Sequence, residues 1–421
     1  MNKYIVNDLT NNSIDEERLK IFDHHAFLRK KFNQYLKSIK SPEDGGFIFI
    51  KETDDYDWNK GLFDSCKGGN VKIINMMIEL GEKNMNLGLY GACESGDLNI
   101  AILMIKKGAN NVNSGLYYGC KGGNLDIINL MIEKGANKWD WGLKGAGEGG
   151  NLKIVNLMIK KGANDWNQGL YGGCLGGNLK IVELMIEKGA NDWDKGMRGG
   201  CRGGNIKIVK LMISKGANKW NEGLYNAVER NNLNIVKLMI EKGATILGSV
   251  LFLACKRNNL NMMKFIIKKG ANNWNGGLLG GCHSGNLKIV NLMISKGAND
   301  WNTGLCLGSL KGNLKIVNLM IEKGANEFNE GLNHACLGGN LKIVNLMIKK
   351  GANDWDLGLK SGCLGGKLKA VNLMIEKGAK NLNSGLEIAC MEGNLKIVNL
   401  MIEKGATYCN YCNKSKEEHE K

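Results

Sequence analysis

One 27-residue pattern, repeated thirteen times without an insertion or deletion, constrains this chain more than any other feature. A clean copy, Gly169 to Lys195, reads G-L-Y-G-G-C-L-G-G-N-L-K-I-V-E-L-M-I-E-K-G-A-N-D-W-D-K. Copies begin at residues 61, 88, 115, 142, 169, 196, 223, 250, 277, 304, 331, 358 and 385. Positions 1 to 27 are counted from the opening residue of each copy. A period of roughly 20 to 50 residues belongs to stacked architectures, in which each unit buries its apolar face against its neighbours. The chain is therefore expected to be an array.

The second half of each copy has the clearer helical signature. Apolar residues fall at positions 11, 13, 14, 16, 17 and 18, with polar ones at 12, 15 and 19, which predicts a helix (helix B) buried on most sides. An Asn precedes it in most copies, such as Asn151 and Asn340, in the place of an N-cap. Gly follows it in every copy, from Gly81 to Gly405, in the place of a left-handed C′ residue. The first half, G-L-Y-G-G-C-L-G-G, is a poor helix by propensity, since Gly costs up to about 1 kcal/mol per site. It still carries a start signal. A large apolar residue, most often Trp (Trp139, Trp166, Trp193), precedes an Asx residue (Asp140, Asn167, Asp194), and this pair is expected to act as staple and N-cap. A short helix A held by packing is predicted, with small residues at positions 4 to 6 permitting close approach.

The run G-N-L-K-I-V-N-L-M-I-E-K-G-A-N resembles the second half of an ankyrin repeat, and Gly88 to Asp97, G-L-Y-G-A-C-E-S-G-D, resembles its first helix and turn. The resemblance covers residues 61–405 and implies an all-α, ankyrin-like helical solenoid of thirteen helix-turn-helix repeats. Two features depart from the family: the Thr-Pro start of helix A is missing, and six residues are lost where the family carries its projecting β-turn finger, against a usual repeat of about 33. Arrays shortened in this way resemble the ankyrin-like proteins of giant amoeba-infecting DNA viruses. That resemblance implies a viral protein in the host cytoplasm. A leucine-rich repeat also tolerates this length, but it requires a strand with Asn after the apolar run, and here Asn precedes a helical run.

Residues 1–60 do not repeat. The Ser13/Glu16 capping box and the spacing of Leu19, Phe22, Leu28 and Phe32 predict a helix over 14–40, broken by Pro42, with Phe47 to Ile50 extended; together they form an N-terminal cap. Residues 406–421, following the array (whose last linker runs to 411), form a C-terminal tail. The junction Gly-Ala-Thr-Ile-Leu-Gly-Ser (243–249) loses the Trp-Asn signature and is expected to be drift or a bend.

Composition narrows the function. Ten of the thirteen cysteines share position 6, from Cys66 to Cys390. Helices at about 8–10 Å spacing hold such residues too far apart for disulfides, which want Cα atoms within about 7 Å. Buried thiols in a reducing compartment are expected. No secretory signal and no run long enough for a membrane span is evident, so a soluble cytoplasmic protein that does not enter membranes is expected. Five scattered histidines, no phosphate loop and only half of a zinc site at Cys409-x-x-Cys412 predict neither an enzyme nor a cofactor or metal.

What remains is surface. The positions that vary between copies are 3, 4, 7 and 8, and the ankyrin resemblance implies that helix A lines the concave, partner-binding face. The candidate binding residues are Tyr90, Tyr117, Tyr171, Tyr225 and Phe252, with Arg198, Arg202, Arg230, Lys256 and Arg257. Tyr and Arg are enriched among interface anchors. Non-catalytic binding of a protein partner, as a host-directed adaptor, is the expected function. The net charge of +16 supports the alternative, nucleic acid or another polyanion. Neither the partner's identity nor the oligomeric state is written in the sequence.

Overall fold

A computed structural model describes residues 58–79, 84–409 and 414–415. The expected N-terminal helix and extended segment lie outside the described residues, as does Gly81. Each copy folds as two antiparallel helices, for example helix A Trp166–Gly176 and helix B Leu179–Glu187 in the fifth copy. The fold is an all-α, ankyrin-like stack of helix pairs without β-turn fingers. The chain divides into two compact units, one ending at Ala244 and one beginning at Thr245, so the division falls in the irregular junction.

The core is a set of recurring slots. In the fifth copy Leu170, Cys174, Ile181, Val182 and Met185 are fully buried, and their counterparts recur in the neighbouring copies. Burying one such aliphatic side chain is worth about 1.5–3 kcal/mol. Helix B is less enclosed than its sequence predicts. Positions 13, 14 and 17 are buried, positions 16 and 18 mostly half-buried, and position 11 is half-buried, as at Leu287, or exposed, as at Leu125 (54%), Leu179 (46%) and Leu395 (66%). Position 11 is the first helical residue, so its side chain points outward beside the cap.

Both helix ends follow from their sequences. Asn178 Oδ1 accepts from the Ile181 N–H at 3.2 Å, and Asn124, Asn151, Asn232, Asn259 and Asn313 cap their B helices in the same way. Asn340 departs from this expectation: its side chain does not cap, and its Nδ2 donates to the Ser309 carbonyl instead. Past helix B, Gly189 adopts a left-handed φ of 104°, and the Ala190 N–H reaches back to the Met185 carbonyl at 2.9 Å. Helix A ends likewise, at Gly177 with φ of 76°. In the seventh and eighth copies Asn231 and Asn258 hold that slot at φ of 60° and 58°; Asn is the residue that best tolerates this conformation after Gly.

Helix A starts earlier than its sequence suggests. Trp166, expected to be a staple outside the helix, is its first residue, and the cap is the residue before it: Asp165 Oδ1 accepts from the Gln168 N–H at 3.0 Å. Asp192, Asp300, Asp354, Asn111, Asn273 and Asn381 do the same. The Asx residue at position 26, the expected cap, links neighbouring copies instead. Asn167 Oδ1 accepts from the backbone N–H groups of Asn191 and Asp192, both at 2.9 Å. Asp140, Asp194, Asn275, Asn302 and Asp356 form the same bridge to the next copy.

The small residues of helix A serve two neighbours. A Cβ at Gly173 would crowd Ile181 Cγ2 at 3.0 Å, so position 5 faces helix B of its own copy. Position 4 faces the preceding A helix: a Cβ at Gly145, Gly172 or Gly199 would fall on the carbonyl of Tyr117, Lys144 or Tyr171. Gly149, Gly176 and Gly203 at position 8 meet the carbonyls of Lys121, Glu148 and Leu175 in the same way. This four-residue spacing of glycines brings helix backbones together. Where Asn226, Leu307 or Ile388 stands at position 4, adjoining A helices lie less closely against each other. Within each unit the A row is packed more tightly than the B row.

At the C-terminus, Tyr408–Cys409 pairs antiparallel with Lys414–Ser415, and Ala406 and Cys409 are fully buried. Part of the tail thus packs against the end of the array, beside helix Leu382–Met391.

Candidate functional site

The framework slots leave positions 3 and 7 of helix A to project from the tightly packed A row. In the unit ending at Ala244, position 3 carries Tyr90, Tyr117, Lys144, Tyr171, Arg198 and Tyr225 in successive copies. Lys144 Nζ lies between two rings, 5.5 Å from the centre of Tyr117 and 5.2 Å from that of Tyr171. The Arg198 guanidinium lies 5.7 Å from the Tyr171 ring, and Arg202 Nη1 donates to the Tyr171 hydroxyl at 3.4 Å. Cations over aromatic faces are attracted by the ring quadrupole. Tyr171 is consequently buried by its neighbours, whereas Tyr225 stays 46% exposed.

Position 7 carries the complementary pattern. Lys67, Glu94, Lys121 and Glu148 alternate in charge along the first four copies and form a continuous chain of ion pairs at 3.2, 3.3 and 2.9 Å. The Tyr117 hydroxyl donates to Glu148, and burial followed by that carboxylate raises its pKa. The carboxylates are the more enclosed partners, at 14% and 16% side-chain exposure. Beside them Tyr118 at position 4 stacks on Tyr90, with ring centres 5.1 Å apart, and meets Phe63 edge-on. The acidic groups on this part of the face are therefore already neutralised.

Of the sequence candidates in this unit, Tyr117, Tyr171, Arg198 and Arg202 are brought together; Tyr90 joins through Tyr118, and Tyr225 and Arg230 are exposed. In the unit beginning at Thr245, Lys256 Nζ lies 5.9 Å from the Phe252 ring, and Lys256 and Arg257 are exposed. The sequence reading missed Lys144, although the alternation of ring and cation at position 3 signals it. It also missed the run Leu310, Leu337, Leu364 and Met391 at position 7 of the last four copies, of which Leu364 and Met391 are 52% and 56% exposed. The A face is thus charged and aromatic in one unit and apolar along part of the other.

Burial pushes the position-6 thiols, among them Cys174 and Cys201, up to about 12, far from a reactive thiolate. No group of three or more His, Cys, Asp or Glu among the described residues is placed to hold a metal ion. A shallow hollow of about 260 Å³ is lined by Asn218, Lys219, Trp220, Asn221, Glu222 and Gly243, with Lys219 Nζ 3.9 Å from the Glu222 carboxylate and both side chains about half exposed. No helix among the described residues is long and apolar enough to cross a membrane.

A family model described as ankyrin repeats (3 copies) matches residues 200–276 and 224–327. The repeats are ankyrin-like. Among solved structures, the human ASB11 ankyrin repeat domain is similar at 18% identity, covering 49% of this chain and 96% of that domain, with a TM-score of 0.26. Its superposition is too loose to add to the argument. No curated protein matches the chain. Ankyrin repeats are in general protein–protein interaction modules and not catalysts, which agrees with a face that varies from copy to copy over a constant framework.

Proposed function

We propose that this protein is a non-catalytic scaffold that binds a protein partner on its A-helix face, and that it acts as a host-directed adaptor, as its likeness to the shortened viral arrays suggests. The supporting observation is the row of position-3 side chains from Tyr117 to Arg198. The repeat framework does not require their identities, yet they interlock across copies into one continuous surface. Preordered Tyr and Arg side chains lose little entropy on binding and make good anchors.

The test is capture of partners by the purified chain, with and without nuclease, at about 0.05 and 0.3 M salt, a range over which phosphate contacts weaken strongly. The same capture is repeated with Arg198, Arg202 and Arg257 replaced together by Ala. A discrete protein that survives nuclease and high salt, and is lost with the triple variant, is the expected result. Loss of all captured material on nuclease treatment would replace this reading with polyanion binding. Capture unaffected by the triple variant would remove the A-face site.

A further inference from the structure

The geometry points to an acidic, extended protein segment as the occupant of the A face between the fourth and seventh copies, held by Lys144, Arg198, Arg202 and Arg230. This inference rests on the protein-binding reading above and names the chemistry of the partner.

Basic groups outnumber acidic ones on this stretch. Lys144 has no ion-pair partner among the described residues and is held by the rings of Tyr117 and Tyr171 instead. Arg230 is exposed at the end of its helix. Arg202 donates only to the Tyr171 hydroxyl, and its Nε is buried without an acceptor. A buried guanidinium N–H without an acceptor is costly, and a carboxylate is the natural partner for the guanidinium's other N–H groups. Arg198 meets Glu222, but at 3.8 Å, with both side chains nearly half exposed, a contact of little worth that a ligand carboxylate can replace. Of the other acids on this stretch, Glu148 is committed to Lys121 and Tyr117, and Glu229 stands half-buried beside Arg230.

The same geometry argues against a nucleic acid. Single strands bind by stacking bases on open aromatic faces. Here both neighbours of Tyr171 are cations, Tyr117 is covered by Lys144, and Tyr171 is only 8% exposed. Spacing suits an extended chain. Helices in contact stand about 8–10 Å apart, so Lys144 and Arg198, two copies apart, are separated by about five or six residues of extended chain at roughly 3.3 Å each.

The experiment measures binding of fluorescein-labelled deca-glutamate to the full chain by fluorescence anisotropy, with a labelled twelve-nucleotide oligouridylate as the second probe. Both are repeated on Lys144→Ala/Arg198→Ala and on Arg198→Lys, with circular dichroism to confirm that each variant keeps its helices. The expected result is saturable binding of the peptide, weakened at least tenfold in the double variant, partly retained in Arg198→Lys, and weak binding of the oligonucleotide. Preference for the oligonucleotide would overturn the inference, as would peptide binding that the double variant leaves unchanged, or no peptide binding at all. If the capture experiment still yields a protein lost with the triple variant, the acidic segment alone is refuted and the scaffold reading stands.

Discussion

Asn167 Oδ1 accepts from the backbone N–H of Asp192 at 2.9 Å, and Asp192 Oδ1 in turn accepts from the N–H of Lys195, also at 2.9 Å. One copy thus fixes the cap residue that starts helix A of the next. The linkage recurs along the array, so helix initiation and repeat stacking are coupled at the junctions that carry both an Asx bridge and an Asx cap, such as Asp140 with Asp165 and Asp356 with Asn381.

Replacing Asn167 with Ala removes three hydrogen bonds: two accepted from the N–H groups of Asn191 and Asp192, and a long one that Nδ2 donates to Asn191 Oδ1. At an exposed junction water recovers part of this, and a net loss of about 1 kcal/mol is expected. Asn167→Asp should be neutral, because Asp140 and Asp194 fill the same role. Hydrogen exchange at Asn191 and Asp192, with denaturant unfolding, measures both. Unchanged exchange in the Ala variant would mean the bridge contributes nothing.

Gly172→Ala sets two effects against each other. Helix propensity favours Ala by up to about 1 kcal/mol. The new Cβ, however, falls on the carbonyl of Lys144, and backbone cannot move aside as a flexible side chain can. Overpacking costs about 1–3 kcal/mol, so a net destabilisation is expected, visible as a lower thermal midpoint. A rise in the midpoint would show that the A helices are free to spread.

The stacked-helix architecture and the caps of helix B were legible because the signals there have one meaning: Asn178 before an apolar run and Gly189 after it can only bracket a helix. The start of helix A was not. Asp165 and Asn167 flank Trp166, both are good cap residues, and only the position of the next copy decides that one caps and the other bridges. The site divides similarly. Tyr171 and Arg198 stood out as interface-prone types, whereas Lys144 acquires its meaning from rings 27 residues to either side, at Tyr117 and Tyr171. A contact between equivalent positions becomes visible only when the copies are aligned by column.

The junction before the ninth copy offers a gain of stability. Gly248 occupies the bridging slot, where other copies carry Asn or Asp, and so it has no oxygen to offer the next copy. A Cβ there would sit 3.0 Å from Asn273 Cβ, a fit that equivalent junctions accommodate with Asn or Asp in place. Gly248→Asn should raise stability by about 1 kcal/mol through the restored bonds and better helix propensity. Unfolding of the variant in urea measures this, and a lower midpoint would show that Asn273 cannot yield.

The position-6 cysteines predict how the fold responds to alkali. Burial raises Cys174 and Cys201 to about 12 in the folded chain, against about 8.5 for an exposed thiol. Below the unfolded value both states keep the proton, and stability is at its plateau. As pH climbs from there toward 12, only the unfolded chain releases the proton. Stability therefore falls, by up to about 1.4 kcal/mol per pH unit for each thiol. Because Cys66, Cys93, Cys120, Cys255, Cys282, Cys336 and Cys363 are raised to the same level, the losses accumulate along the array. Thermal midpoints between pH 8 and 11 should drop steeply, and Cys174→Ala/Cys201→Ala should flatten the decline relative to the parent chain. Equal slopes in the two proteins would show that other groups, such as the surface lysines, govern alkaline unfolding.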